Sequence, residues 1–292
     1  MTYHELLQYG RKTLENAGIE DAGLDARYLL EWISGCSHAD LILMAAKPAE
    51  ESTVHRYQQV VEQRSCHIPL QHITHEQSFM GYSFYVNEHV LIPRQDTEIL
   101  VETAYHTIQK HYSALSPTHL RILDLCCGSG CIGISLTKML QTIGYSVELT
   151  LADLSEEALK VAKQNADRLD CKAVLVQGDL FDNIEPSYQI LVSNPPYIRT
   201  GDIPELMQEV KDHEPYMALD GKADGLYFYR RMVERLTDYI EDDGYVFFEI
   251  GFDQAEDLRK IFVEHGFQNM KVKKDLTGHD RVVYAGMPAR KD

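Results

Sequence analysis

Short apolar segments alternate with amphipathic segments of helical length from residue 120 onward, and this alternation constrains the fold more than any other feature. A short apolar run predicts a strand buried on both faces, and an intervening helix returns the chain so that the next strand runs parallel. The predicted strands are 121–125, 148–152, 173–177, 190–193, 245–250, 270–274 and 282–285. The predicted helices are 132–143, 156–169, 225–240 and 254–265. We therefore expect an α/β fold with a seven-stranded, Rossmann-like sheet whose last strand is antiparallel, because only a short connection precedes it.

The chain before residue 120 has a different pattern. Residues 1–72 carry apolar side chains at helical spacing and predict a small helical domain, with helices at 3–16, 25–33, 39–46 and 50–66. Apolar residues alternate over 73–95, which predicts a bridging β-hairpin that turns near Met80 and Gly81. A helix over 96–112 opens the third part, 96–292. Within that part, the acidic run 241–243 is interpreted as a solvated turn.

The charge and the cysteines exclude several classes of protein. Among 292 residues, 28 Lys and Arg stand against 45 Asp and Glu, a formal charge of −17. This balance disfavours a surface built to grip nucleic acid, because phosphates demand basic side chains. No apolar run reaches the roughly 18–20 residues that cross a bilayer, and the first residues lack the pattern of a signal peptide. We expect a cytoplasmic monomer with no membrane or direct nucleic-acid contact. Its six cysteines contain no CxxC pair and predict reduced thiols and no metal site.

A glycine-rich turn follows the first predicted strand of the sheet. Gly128, Gly130 and Gly133 give the pattern GxGxxG, with Ser129 between the first two. Such a turn lets backbone N–H groups at a helix start approach a ligand closely. The pattern is also compatible with a plain strand-to-helix connection, so further residues must distinguish the two.

Two carboxylates follow the next strands. Asp153 ends the second strand, where it can accept hydrogen bonds from both hydroxyls of a ribose. Asp179, after the third strand, can accept from an adenine amino group, and Leu180 can cover the ring. This arrangement suits NAD and S-adenosylmethionine equally well.

The tetrapeptide Asn194-Pro195-Pro196-Tyr197 follows the fourth strand and decides between these ligands. Two prolines stiffen the backbone and remove two N–H donors, so the nearby carbonyls become fixed acceptors. The Asn194 side-chain oxygen and the Pro195 carbonyl can together accept both hydrogens of a planar –NH₂ group. Holding an amide nitrogen in this way favours attack of its delocalised lone pair on an activated methyl group, so alignment supplies most of the catalysis.

On the basis of these residues, the chain resembles the release-factor glutamine methyltransferases, the HemK/PrmC family. The resemblance covers 91–281 and extends to the helical front part. It is carried by LIPRQDTE at 91–98, DLCCGSG at 124–130, VSNPPYI at 192–198, EPYMAL at 214–219, DGL at 224–226, FEIG at 248–251 and DLTGHDR at 275–281. It implies a class I methyltransferase domain that uses S-adenosylmethionine.

The family resemblance also implies roles for individual residues. The methionine part of the cofactor would contact the loop formed by Asp124, Cys126, Cys127, Gly128, Ser129 and Gly130. Asp153 would bind the ribose, and Leu180 beside Asp179 would pack on the adenine. Asn194 would touch cofactor and substrate, while Pro195, Pro196 and Tyr197 complete the amide pocket. Cys126 stands where the family often has glycine, and Gln95 replaces a common proline.

The implied reaction is methylation of the glutamine amide nitrogen in the Gly-Gly-Gln motif of class I peptide chain release factors. The helical front part would recognise the body of the release factor, and Arg94, Asp96 and Glu98 would line the mouth of the site. Four alternatives remain open at this stage. They are an adenine or cytosine amino-methyltransferase acting on a flipped-out base, methylation of another glutamine such as one in a ribosomal protein, an NAD-dependent enzyme, and a binding module with a relic cofactor site.

Overall fold

The computed structural model describes residues 1–112 and 119–287, which form two compact units. One unit comprises Met1–Glu76 together with Met207–His213, and the other comprises Gln77–Leu206 and Glu214–Asp292. The hairpin therefore belongs with the second unit. The division of the chain into 1–72, 73–95 and 96–292 stays a prediction.

The first unit is helical, as its periodicity predicts. Its helices are α1 Tyr3–Asn16, α2 Ala22–Ser34, α3 His38–Leu43, α4 Glu51–Ser65, α5 Leu70–Thr74 and, from the distant segment, α9 Gln208–His213. A capping box opens α1, where Thr2 and Glu5 satisfy each other's backbone N–H groups. Buried Tyr57 donates its hydroxyl to the Ala26 carbonyl at 2.9 Å. This ring lies so close to α1 that only glycine fits at Gly10.

The segment 207–213 joins the first unit through a buried arginine. Arg64 on α4 is 4% exposed and donates to Asp25 at 2.7 Å, and it also pairs with Glu209 on α9. A buried guanidinium requires such partners, because removing it from water unpaired is costly. The sequence pattern did not indicate this excursion of the chain.

The second unit contains the predicted sheet. Its strands are β3 His119–Leu125, β4 Ser146–Asp153, β5 Ala173–Gln177, β6 Tyr188–Ser193, β7 Ile240–Glu249, β8 Lys271–Lys274 and β9 Asp280–Gly286. The order is β5-β4-β3-β6-β7-β9-β8, with β3 to β7 parallel and β9 antiparallel to both neighbours. The seven-stranded sheet and its antiparallel last strand are thus confirmed.

Helices cover both faces of this sheet. They are α6 Gln95–Tyr112, α7 Cys131–Thr142, α8 Glu156–Arg168, α11 Tyr227–Tyr239 and α12 Ala255–Glu264, with the short α10 Tyr216–Leu219 and a 3₁₀ turn Ile203–Glu205 in a connection. Ile122 packs into the apolar layer under α6, α7 and α8, and its neighbour Leu123 packs into the layer under α11 and α12. Successive residues of one strand are therefore buried on opposite faces, as expected of a covered parallel sheet.

The hairpin turns where the sequence predicts, with β1 Gln77–Phe79 and β2 Tyr82–Phe84 pairing across Met80 and Gly81. The interpretation of 241–243 as a turn is wrong, because the structure includes these residues in β7. The register between β6 and β7 shifts there, since Tyr188 faces Ile240 but Ile190 faces Tyr245. Acidic residues are disfavoured in strands. The bulge lets these residues stay in solvent at the end of the paired strand β7.

Within 1–112 and 119–287, no helix combines the length and apolar character needed to cross a membrane.

Candidate active site

A cleft opens at the carboxyl ends of β3, β4 and β6. This is where the strand order reverses, and in open α/β sheets ligands bind at such a point. The cleft is lined by the turn after β3, the ends of β4 and β5, the segment after β6 and the segment before α6. Its lining includes Arg94, Thr97, Cys126, Cys127, Gly128, Ser129, Asp153, Leu154, Asp179, Leu180, Asn194 and Pro196.

The glycine-rich turn is built as the sequence indicates. Gly128 has φ +52°, and the space where a Cβ would project is open. Gly130 has φ +77° and stands at the start of α7. Cys126 adopts φ +57°, in the left-handed region where glycine is free of strain. The position at which the family often has glycine therefore keeps a glycine-like backbone here.

Asp124 supports this turn from behind. It is completely buried, does not line the cleft, and accepts a hydrogen bond from Gly133 N–H at 2.8 Å. Burial raises the pKa of Asp124 to about 8, against the opposing effect of that hydrogen bond. Asp124 therefore holds the first turn of α7 through Gly133, and its expected contact with a ligand stays a prediction.

Asp153 is placed as the sequence predicts. It lines the cleft at the end of β4 and accepts Gly128 N–H at 2.9 Å on one oxygen and Ser155 N–H at 2.9 Å on the other. Each carboxylate oxygen has a second lone pair. The side chain can therefore hold the glycine turn and still accept from a diol.

Asp179 and Leu180 follow β5 and also line the cleft. Both oxygens of Asp179 are engaged by Arg231 on α11, at 2.9 Å each. This bidentate pair fixes the carboxylate and leaves one lone pair on each oxygen for another donor. Leu180 is 8% exposed with φ +56°, so an apolar side chain is held at the rim by a left-handed turn.

The NPPY corner, residues Asn194, Pro195, Pro196 and Tyr197, follows β6. Asn194 and Pro196 line the cleft, whereas Pro195 and Tyr197 lie outside its lining. Asn194 donates through Nδ2 to Thr97 Oγ1 at 3.5 Å. Over the described residues, no donor pairs with Asn194 Oδ1 or with the Pro195 carbonyl. The two acceptors that the sequence singles out are thus without a partner among residues 1–112 and 119–287.

A glutamine side chain and a closely packed loop hold the NPPY corner in place. Gln254 is 3% exposed and donates to the Tyr197 carbonyl at 2.9 Å and to the Gly225 carbonyl at 3.3 Å. A Cβ on Gly225 would lie 2.3 Å from the Tyr197 carbonyl oxygen, and one on Gly221 would lie 2.7 Å from Tyr197 Cα. Glycine is therefore required at both positions, because the loop packs directly on the corner.

The segment before α6 forms another wall of the cleft, with His89, Val90, Leu91, Pro93 and Arg94 in its lining. Arg94 pairs through Nη2 with both oxygens of buried Glu214 at 2.8 Å. Asp96 instead pairs with Arg281 at 3.1 Å, and Glu98 accepts from Met80 N–H at 2.6 Å. Of the three residues expected at the mouth, Arg94 alone lines the cleft.

Two residues near the corner escaped sequence reasoning. Glu249 ends β7, is 2% exposed and accepts the Tyr197 hydroxyl at 3.3 Å on Oε1. Thr97 in the first turn of α6 is the partner of Asn194. The sequence carries one signal for Glu249, because a single acidic residue directly follows the predicted strand residues 245–248. A charged side chain is rarely buried without a function.

The thiols that line the cleft are not suited to nucleophilic chemistry. Burial raises the pKa of Cys131 to about 12, and it raises the pKa of Cys126 and Cys127 as well, with the nearby Asp153 carboxylate adding to the effect. A thiol in such surroundings stays protonated and inert.

The sheet order and the cleft at its switch point define the class: this is the class I methyltransferase fold. The solved hMettl16 catalytic domain in complex with MAT2A 3′UTR hairpin 6 shares it, with a TM-score of 0.54 at 14% identity over 73% of this chain and 77% of that chain. Residues 5–74 match the family model of the PrmC N-terminal domain, and residues 97–213 match that of the methyltransferase small domain.

Curated relatives define the family more narrowly. The release factor glutamine methyltransferase of Clostridium acetobutylicum is 36% identical over 89% of this chain and 90% of its own length. That of Geobacter sulfurreducens is 35% identical over 97% of this chain and 95% of its own length. This chain belongs to the release factor glutamine methyltransferase family.

Proposed function

We propose that this protein transfers a methyl group from S-adenosylmethionine to the side-chain amide nitrogen of a glutamine, the one in the Gly-Gly-Gln motif of class I peptide chain release factors. The relatives named for this activity support the reaction and the substrate class. The observation that carries it is a pair of acceptors after β6, Asn194 Oδ1 and the Pro195 carbonyl, which accept no hydrogen bond from the part of the chain that the structure describes. They match the two N–H donors of a carboxamide.

The residues of the cleft fit S-adenosylmethionine. The open backbone at Gly128 leaves room for the methionine part beside Ser129, and the free lone pairs of Asp153 suit the ribose hydroxyls. Leu180 offers an apolar face to the adenine, and Asp179, held by Arg231, offers an acceptor at its edge. When bound, the cofactor supplies an electrophilic methyl group on a sulfonium.

The NPPY corner then aligns the glutamine amide nitrogen with the methyl group. Asn194 Oδ1 and the Pro195 carbonyl accept the two amide hydrogens of the glutamine and fix the nitrogen in position. The proline pair keeps those acceptors rigid, and the contacts from Gln254 and Gly225 keep the corner from moving. Tyr197, anchored by Glu249, closes the pocket without supplying a base. Preorganised polar contacts of this kind each contribute roughly 10²–10³ in kcat.

The experiment is transfer to a purified release factor with mapping of the methyl group by mass spectrometry. The wild-type protein should add one methyl to the glutamine of Gly-Gly-Gln. Asn194→Ala should lower kcat by about 10² or more while keeping the fold and cofactor binding. Asn269→Ala, an exposed asparagine far along the chain, is the matched control and should keep wild-type turnover. Unchanged turnover in Asn194→Ala would refute the role of the corner.

The same assay tests the competing substrates. A ribosomal protein and duplex DNA are offered in parallel with the release factor. Label in DNA and none in the release factor would favour a nucleic-acid amino-methyltransferase, although the charge of −17 disfavours it. Label in the ribosomal protein alone would favour the other glutamine substrate. The monomeric state and the cytoplasmic location stay predictions.

A further inference from the structure

The NPPY corner divides the edge of the sheet that carries the cleft. The residues that fit the cofactor follow β3, β4 and β5, which lie on one side of β6 in the sheet order. On the other side, the same edge carries the turn after β7 and the turn between β8 and β9, because β9 is antiparallel to β7. An attacking nitrogen must align opposite the leaving sulfur. In the proposed reaction the glutamine therefore reaches the corner from the side of β7 and β9.

The turn after β7 is attached to the corner and presents an aromatic ring to solvent. Gln254 donates to the Tyr197 carbonyl at 2.9 Å. Asp253 pairs with Arg199, two positions beyond the corner, at 2.7 Å. Phe252 precedes these two anchored residues and is 65% exposed. The backbone of Phe252 is thus held beside the corner while its ring stays in water.

The turn between β8 and β9 holds a leucine in the same manner. One oxygen of Asp275 accepts the N–H and the hydroxyl of Thr277 at 3.0 and 2.7 Å, and the N–H of His279 at 2.9 Å. The other oxygen accepts from Arg281 at 3.1 Å. Leu276, within this turn, is completely exposed. Four hydrogen bonds to one carboxylate therefore order the turn around an apolar side chain that packs on nothing.

The two turns touch each other and border the cleft. The rings of Phe252 and His279 lie with their centroids 5.8 Å apart. Arg281 pairs with Asp96 at 3.1 Å as well as with the β8–β9 turn, and Asp96 is next to Thr97, which lines the cleft. We call Phe252, Leu276 and His279 the rim surface. It is continuous with the mouth of the proposed active site.

The exposure of the rim surface is exceptional for this unit. Among the large apolar side chains in the described part of the second unit, Leu276 and Phe252 are the two most exposed. Apolar residues scattered singly on a surface are ordinary, whereas adjoining ones at the mouth of a site mark a contact with a partner. Because their backbone is already ordered, these side chains can be buried by a partner at a low cost in entropy.

We infer that the rim surface docks the release factor itself, through apolar side chains that lie outside the Gly-Gly-Gln motif. The inference rests on the proposed function and adds a contact of the second unit with the body of its substrate. The glycines of the motif have no side chains to cover Phe252 and Leu276. A glutamine held at the corner brings the protein that carries it against the surface bordering that side of the corner.

The test compares alanine variants of exposed apolar residues. Phe252→Ala, Leu276→Ala and the double variant remove the rim side chains. Val263→Ala is the matched control, since Val263 is 58% exposed and lies about 12 Å along α12 from its start beside the cleft edge. Each protein is assayed with intact release factor for kcat and KM. Calorimetry gives the cofactor affinity, thermal unfolding gives the Tm, and sedimentation gives the oligomeric state.

We expect KM for the release factor to rise about tenfold in the double variant, with smaller rises in the single variants and none in Val263→Ala. The kcat and the cofactor affinity should stay at their wild-type values, because neither Phe252 nor Leu276 lines the cleft. The Tm should stay as well, because both side chains are already in water.

Three results would overturn the inference and leave the proposed function intact. The first is a wild-type KM in the double variant. The second is a loss of kcat or cofactor affinity without a rise in KM for the release factor, which would mean that the rim only supports the corner. The third is a change in sedimentation with a wild-type KM, which would assign the rim surface to a second copy of this chain. A wild-type protein that methylates no glutamine would instead remove the proposed function and the inference together.

Discussion

Asn165 on α8 provides a quantitative test of how the cofactor turn is held. Its side chain is completely buried and makes three hydrogen bonds. Oδ1 accepts Tyr85 N–H at 2.7 Å, and Nδ2 donates to the carbonyls of Tyr85 and Ser129 at 2.9 Å each. One amide therefore joins the segment after the hairpin to the glycine-rich turn.

Asn165→Ala removes all three bonds and leaves three backbone groups without these partners. At roughly 1 kcal/mol for each hydrogen bond, the free energy of unfolding of the second unit should fall by about 3 kcal/mol. With an m-value of about 3 kcal/mol/M in urea, the midpoint falls by about 1 M. Because the Ser129 carbonyl is released, the affinity for S-adenosylmethionine should fall as well.

The assay is urea unfolding followed by far-ultraviolet circular dichroism, with cofactor titration by calorimetry. Gln164→Ala, at the exposed neighbouring position on the same helix, is the matched control and should leave the midpoint nearly unchanged. Fluorescence of Trp32, the single tryptophan of the chain, reports separately on the first unit. A midpoint for Asn165→Ala equal to that of Gln164→Ala would show that these three hydrogen bonds do not stabilise the second unit.

Three further predictions follow from backbone geometry and charge. Cys126→Gly should keep the Tm and the cofactor affinity of the wild type. Glycine relieves the strain of a left-handed backbone, about 1–2 kcal/mol, and this offsets its entropy cost of about 0.5–1 kcal/mol. Loss of cofactor binding in calorimetry would argue against this explanation. Gly225→Ala should reduce kcat by about tenfold or more in the methyl-transfer assay, because its Cβ would strike the Tyr197 carbonyl; full activity would show that the corner can yield. Glu249→Gln should be more stable than wild type at pH 8 by about 3 kcal/mol. Burial raises the pKa of Glu249 in the folded protein to about 7. The protonated carboxyl group therefore contributes stability below its unfolded pKa, and this stability is lost as the pH rises through 7. Urea unfolding at several pH values measures that difference, which should shrink toward pH 4.5; a difference independent of pH would contradict the assignment.

The contiguous features of the site could be predicted because local sequence determines them. The glycine turn after β3, Asp153 at the end of β4 and the NPPY corner after β6 each follow a strand directly. Once the strands are recognised as parallel, their carboxyl ends must meet at one edge of the sheet, so these residues converge. Asp124 illustrates the limit of this reasoning, because sequence alone did not show that its side chain turns away from the cleft to Gly133.

The features that sequence missed depend on residues far apart in the chain. Arg231 reaches Asp179 from α11, Glu209 reaches Arg64, and Thr97 reaches Asn194 across 97 positions. No local pattern encodes such pairs, since each residue alone has the character of an ordinary surface or helix residue. The acidic run 241–243 is a related case, in which pairing of β6 with β7 overrides weak local strand preference.

In the proposed reaction the NPPY corner binds a carboxamide and presents its nitrogen to the methyl donor. The most direct measurement is a crystal structure of this protein with S-adenosylhomocysteine and a peptide that contains Gly-Gly-Gln. We expect the glutamine nitrogen within about 3.2 Å of both Asn194 Oδ1 and the Pro195 carbonyl, with the nitrogen facing the sulfur. A glutamine bound elsewhere, or a corner whose two acceptors stay unoccupied in that complex, would contradict it.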